Sequence, residues 1–152
     1  GLGPKGGEMV AEALLKSSNK LEVISVPRNR LENDGFIAFA KVFNQMKSFK
    51  VIEMYQNFCK KEGMAAVIQS LSSNEDLHTV HIHDNWLTDQ ETIDILCDYL
   101  MNAKSLTSLN LSDCKIKGIN VFQIIRALSL NPHKTIESIY LNYEEIERTK
   151  TF

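Results

Sequence analysis

His81 and His83 stand two apart in Thr79-Val-His-Ile-His83, a stretch whose alternation reads as a strand, so both project from one face. Glu53 and Tyr55 occupy the same columns 28 residues earlier. Two histidines and a carboxylate are zinc-ligand types. Two such residues at strand spacing recur by chance, however, so no metal site and no cofactor is expected. His78 and His133 suggest no role. Asp98, Glu144, Glu145 and Glu147 offer carboxylates but no acid and base pair, and Glu144-Glu145-Ile146-Glu147 reads as a solvated end. No G-x-x-x-x-G-K-[ST] loop or nucleophile elbow occurs. Gly3-Pro-Lys-Gly-Gly7 is glycine-rich, but no strand precedes it, and it reads as a turn into a helix. The chain is therefore expected to carry no substrate chemistry of its own.

The chemistry that remains is recognition. Arg28 and Arg30 flank Asn29. Arginine is common at interface hot spots; the alternative is a solvated pair anchored on Glu32 or Asp34. Arg28, Gln56, Asp84 and Asp113 share one column, where polar groups either bond the adjacent turn or face a partner. Trp86 stands at a position that is usually exposed, where it either anchors in a partner's pocket or packs on a neighbouring loop.

The columns exist because the sequence repeats. Leu21, Ile24, Val26, Asn29 and Leu31 recur as Phe49, Ile52, Met54, Asn57 and Cys59, an offset of 28. Leu77, Val80, Ile82, Asn85 and Leu87 follow after 28 more, then Leu106, Leu109, Leu111, Cys114 and Ile116 after 29. Ile136, Ile139, Leu141 and Ile146 follow after 30, with Glu144 in the place of Asn or Cys. The pattern is L-x-x-L-x-L-x-x-N/C-x-L, the leucine-rich repeat. Its strand points alternate apolar residues inward. Its Asn can pair backbone groups where the chain turns out of the strand. Asn29, Asn57, Asn85 and Cys114 are therefore expected to form a structural ladder, which leaves no catalytic role for Cys114.

After each strand an i, i+1, i+4 stripe predicts a helix facing the strands. The stripes are Phe39, Ala40 and Phe43, then Val67, Ile68 and Leu71, then Ile95, Leu96 and Tyr99, then Ile124, Ile125 and Leu128. Gly35 and Gly63 mark the loop-to-helix junctions, with Glu91 and Asn120 at those places in the later repeats. The fold class expected is an α/β leucine-rich-repeat solenoid, a ribonuclease-inhibitor-like horseshoe. Parallel strands line its concave face and helices its convex face. Residues 1–152 read as one such domain of about five repeats, cut at both ends. Gly6, Val10 and Leu14 match Gly35, Phe39 and Phe43 without a strand before them. Exposed repeat ends would then favour self-association.

Net charge is −2, with 43% hydrophobic and 24% charged residues, so nothing draws the chain to nucleic acid or an anionic membrane. No apolar run is long enough to span a bilayer. Three widely spaced cysteines, Cys59, Cys97 and Cys114, suit a reducing compartment better than a disulfide framework.

The variable positions narrow the reading. Pro27-Arg-Asn-Arg-Leu-Glu-Asn33 resembles the G-R-N-R-L-E-N stretch of Ran GTPase-activating proteins. Met54-Tyr-Gln-Asn57 resembles their M-x-Q-N, and Ile82-His-Asp-Asn-Trp-Leu-Thr88 their L-x-D-N-T-F-T. Leu111-Ser-Asp-Cys114, Leu141-Asn-Tyr-Glu-Glu-Ile146 and Gly1-Leu-Gly-Pro4 resemble L-x-D-C, L-x-Y-N-E-I and G-L-G-P of the same family. Pro27, Phe58-Cys59 and Glu144 depart from it, standing where the family has Gly, Gly-Ile and Asn. The resemblance implies a protein partner, a small GTPase of the Ran type, met by Arg28, Arg30, Gln56, Asp84 and Trp86. It implies a regulator that orders the GTPase's own glutamine and switch region without an arginine finger. It implies a cytoplasmic place, including the nuclear envelope. An Asn critical to that ordering belongs to the family's N-N-G-L-G-P motif, of which these residues hold only Gly1-Leu-Gly-Pro4.

Overall fold

The computed structural model describes residues 1–142. The expectations at Glu144, Glu145, Ile146 and Glu147 lie outside the described residues. Helices and strands alternate strictly: α1 (Gly3–Leu15), β1 (Val23–Ser25), α2 (Glu32–Met46), β2 (Val51–Glu53), α3 (Lys61–Leu71), β3 (Thr79–His81), α4 (Gln90–Asn102), β4 (Ser108–Asn110), α5 (Gly118–Leu130) and β5 (Ser138–Tyr140).

The strands form one parallel sheet in the order β1-β2-β3-β4-β5. Parallel neighbours need a crossover, and each helix supplies one. Ile24 pairs with Ile52, Ile52 with Val80, Val80 with Leu109, and Leu109 with Ile139. These are the residues that the repeat aligns, so sequence offset and sheet register are the same quantity. Ile24, Ile52, Val80 and Leu109 are buried, whereas their neighbours along the strands are half-buried or exposed. The chain is an α/β leucine-rich-repeat solenoid.

The helices close the core from the other side. Phe36, Phe39 and Phe43 of α2, Val67, Ile68 and Leu71 of α3, and Leu96 and Tyr99 of α4 are buried. Each large side chain so buried contributes roughly 1.5–3 kcal/mol. In α5 the expected stripe is only partly buried. Ile124 is buried, but Ile125 is 44% exposed, with Ile119, Phe122 and Leu130 also open. Ile125 shares its column with Ile68, which faces the groove between α3 and α4, and no further helix follows α5 among the described residues.

At the loop-to-helix junctions, Gly35 and Gly63 lie in the first turns of α2 and α3. A Cβ on Gly63 would stand 2.4 Å from Cys59 Sγ and 2.9 Å from the Asn33 Cα, so the position holds glycine for close approach. Asn33 Oδ1 meanwhile accepts from the backbone N–H groups of Lys60 (2.9 Å) and Gly63 (3.2 Å). A side chain of α2 thus caps α3, locking successive repeats together. α4 uses the local alternative: Asp89 accepts from the Thr92 N–H at 2.9 Å and from its hydroxyl at 2.7 Å. Burial acts to raise the Asp89 pKa, but these donors outweigh it and hold the carboxyl below its ordinary value.

Candidate functional site

Strands β1 to β4 each lead into a turn at the loop edge, and these turns have a common backbone. Arg28, Gln56, Asp84 and Asp113 all adopt left-handed φ, between 53° and 58°. Left-handed backbone bends the chain away from the sheet while the N–H groups of Arg28, Gln56 and Asp84 still reach the next repeat's carbonyls. Arg30, Phe58 and Lys115 are left-handed too, at 53°, 57° and 56°.

Side-chain amides hold these turns. Asn57 is fully buried, and its Nδ2 donates to the carbonyls of Val26, Met54 and Tyr55. Its Oδ1 accepts from the N–H groups of Asn29 (2.9 Å) and Leu31 (3.3 Å). Asn85 repeats the scheme one turn on, donating to Met54, Ile82 and His83 and accepting from Asn57 and Cys59. Asn29 is half-buried, donates to Pro27 and accepts from Leu2. Cys114 is buried, and its Sγ lies 3.6 Å from the Ile82 carbonyl oxygen. A thiol has no amide oxygen to receive the next pair of N–H groups. In that turn the Trp86 N–H donates to the Cys59 carbonyl and the Leu87 N–H to the Cys114 carbonyl. Trp86 accordingly does not share the left-handed backbone of Arg30 and Phe58.

The recognition candidates therefore lie along one edge in two columns. In the first, Arg28 Nε donates to Gln56 Oε1 at 2.9 Å, His83 Nδ1 lies 2.7 Å from Asp84 Oδ2, and Asp113 accepts from Asn142. In the second, Arg30 stands 5.9 Å over the Phe58 ring, and Phe58 and Trp86 lie 6.2 Å apart. Neither arginine pairs with Glu32 or Asp34 among the described residues. Sequence reasoning named Trp86 but missed Phe58, Lys60 and Lys115. Only Phe58 carried a signal, in the departure of Phe58-Cys59 from the Gly-Ile of the family it resembles.

On the concave face, His83 stacks flat on Tyr55, with centroids 4.3 Å apart and planes at 11°. His81 Nε2 lies 3.1 Å from Ser108 Oγ and its Nδ1 3.6 Å from Glu53 Oε1. Burial lowers the His81 pKa, which Glu53 opposes and His83 reinforces. Among the described residues no group of three or more His, Cys, Asp or Glu is placed to hold a metal ion. A groove of about 390 Å³ between α3 and α4, floored by Ile68, Leu77, Ile95 and Tyr99, shares no residue with the loop edge.

Comparison with known proteins agrees with this architecture. The Ran GTPase-activating protein of Drosophila melanogaster is 37% identical over 86 residues, covering 51% of this chain and 14% of that protein. The chain is a run of leucine-rich repeats similar to those of Ran GTPase-activating protein. The ribonuclease inhibitor of Mus musculus is 24% identical over 141 residues, covering 90% of the chain and 30% of that protein. The chain thus spans less than a third of either relative. Among solved structures, the actin-binding site 2 of leiomodin-1 superposes with a TM-score of 0.75 at 16% identity. That match covers 93% of this chain and 82% of that one, and it shows the fold. No protein-family model matches the chain. No described helix is long and apolar enough to cross a membrane.

Proposed function

We propose that these leucine-rich repeats bind a small GTPase of the Ran type as part of its activator. In this reading they hold the GTPase's own catalytic groups in position and perform no substrate chemistry themselves. The observation that carries the reading is the 37% identity to Ran GTPase-activating protein over 86 residues. The contact surface in this reading is the loop edge, with Arg28, Arg30, Gln56, Asp84 and Trp86. The Arg28–Gln56 hydrogen bond supports a fixed recognition surface better than a mobile arginine finger, because the guanidinium is already held. The cellular place that goes with this reading is the cytoplasm, including the nuclear envelope.

The test is capture of GTP-loaded and GDP-loaded Ran by the immobilised chain. Preferential capture of the GTP form is expected. Arg30→Ala is expected to weaken capture by roughly tenfold, as truncating an interface arginine does, with an unchanged urea midpoint because Arg30 is exposed. The similarity to ribonuclease inhibitor over 90% of the chain favours a second reading, a binding scaffold for another protein. Absence of capture in both nucleotide states would select it.

A further inference from the structure

Phe58 is 50% exposed on the loop edge and sits on a left-handed backbone that bulky residues rarely adopt. Its ring neither fills the core nor caps a turn. Instead it lies beside Trp86, the two planes tilted by 34°. Cations bracket the pair: Arg30 stands over Phe58 at 5.9 Å, and Lys60 and Lys115 over Trp86 at 5.8 and 4.7 Å. Lys5, Lys16, Lys50, Lys61 and Lys104 each have a carboxylate partner. Arg30, Lys60 and Lys115 form no ion pair among the described residues, and neither do Lys20, Lys41, Lys47, Lys117 and Lys134. What sets the three apart is that each lies over an aromatic ring. Three cations without a counter-charge thus surround an accessible apolar platform. The rings hold the cationic ends close to the apolar surface.

We propose that this strip docks an acidic segment of a partner protein. Carboxylates of the segment meet Arg30, Lys60 and Lys115, and one of its large apolar side chains lies on Phe58 and Trp86. Aromatic platforms with cations also suit single-stranded nucleic acid. That occupant fits worse, because bases stack in succession along a basic groove, whereas this strip offers two tilted rings and no longer run of stacking faces. The proposal goes beyond the GTPase reading. It shares Arg30 and Trp86 with that reading, but Phe58, Lys60 and Lys115 play no part in it, and the strip's partner need not respond to nucleotide state.

Trp86 is the chain's single tryptophan, so its emission reports on the strip. The probe is a labelled synthetic peptide of Asp and Glu residues around a central Leu-Phe, followed by peptide anisotropy and by Trp86 emission. A saturable change in both is expected, weakening with added salt. Phe58→Ala should weaken binding roughly tenfold, and Lys115→Gln about two- to fivefold. Both residues are exposed, so the urea midpoint should hold. Arg28→Ala should leave peptide affinity unchanged. If it abolishes Ran capture while the peptide still binds, Arg28 serves the GTPase and the strip does not depend on it. Capture of Ran with no peptide binding sinks the strip proposal alone. It is equally overturned if a lysine-substituted peptide binds as well, if oligothymidylate binds in preference, or if Phe58→Ala changes nothing.

Discussion

One buried carboxamide binds together three backbone segments at Asn57. It serves the carbonyls of Val26, Met54 and Tyr55 and the N–H groups of Asn29 and Leu31. Removing it strands buried polar groups that water cannot reach, a cost on the order of 1–3 kcal/mol. Asn29, half-buried at the start of the same ladder, serves only Pro27 and Leu2. Asn57→Ala should therefore lower the urea midpoint by clearly more than Asn29→Ala, with the slopes unchanged. Equal shifts would mean that burial at position 57 does not govern the ladder. The Asn column was legible in the sequence because a repeating polar residue beside core positions needs a repeating polar task. The second set was not. Asn74 is buried and accepts from the Phe49 N–H while donating to the Phe43 carbonyl. Asn131, also buried, donates to Leu100 and Ala103. Asn102 stands between them in the helix register, but it is exposed and donates to Asp98 of its own helix, so the column changes its task from repeat to repeat. Phe58 escaped for a related reason: its column reads Arg30, Phe58, Trp86 and Lys115, and residues that vary from turn to turn have no period to reveal a shared task.

Repeat spacing fixed strand positions and sheet register well, since a parallel pairing must join equivalent residues of successive repeats. Helix boundaries were less legible, because capping crosses between repeats. Nothing in the local sequence at Lys60 caps α3; Asn33, on the preceding helix, does so. Gly63 is the complementary half of that junction, keeping α3 close enough for Asn33 to reach. Gly63→Ala would drive a Cβ to 2.4 Å from Cys59 Sγ and 2.9 Å from backbone of α2. The helix propensity gained, about 0.8–1 kcal/mol, competes with overpacking that typically costs about 1–3 kcal/mol. The backbone contact cannot rotate away, so net destabilisation is expected, seen as a lower urea midpoint. Gly6→Ala is the control in α1, where the nearest atom is the flexible Leu2 side chain at 3.1 Å. It should be neutral or stabilising. A Gly63→Ala variant as stable as the parent would show that α2 and α3 can separate without losing the cap.

Across the whole molecule, a solenoid buries each repeat only against its neighbours, so its outer helix faces decide how it behaves in solution. The outermost described helices differ. The open apolar side chains of α1 include Met9, but Lys5, Glu8 and Glu12 lie on the same short helix. α5 exposes Ile119, Phe122, Ile125 and Leu130, and its one charged residue is Arg126. The first three recur at helical i, i+3 spacing and so form one continuous stripe. Two such stripes brought together about a two-fold axis bury each other, the symmetry most common among small oligomers. We predict that the 152-residue chain dimerises through α5 as its concentration rises. Sedimentation equilibrium should show mass growing from the monomer's 17.3 kDa toward twice that value. Phe122→Gln should shift the monomer–dimer balance toward monomer, since it removes the largest apolar side chain of the stripe without touching the buried Val121, Ile124 and Ala127. Met9→Gln, at the opposite end, should leave the balance unchanged. Association that survives Phe122→Gln but disappears with Met9→Gln would place the contact on α1 instead. A chain that stays monomeric throughout would mean that the α5 stripe is too small to hold a second copy.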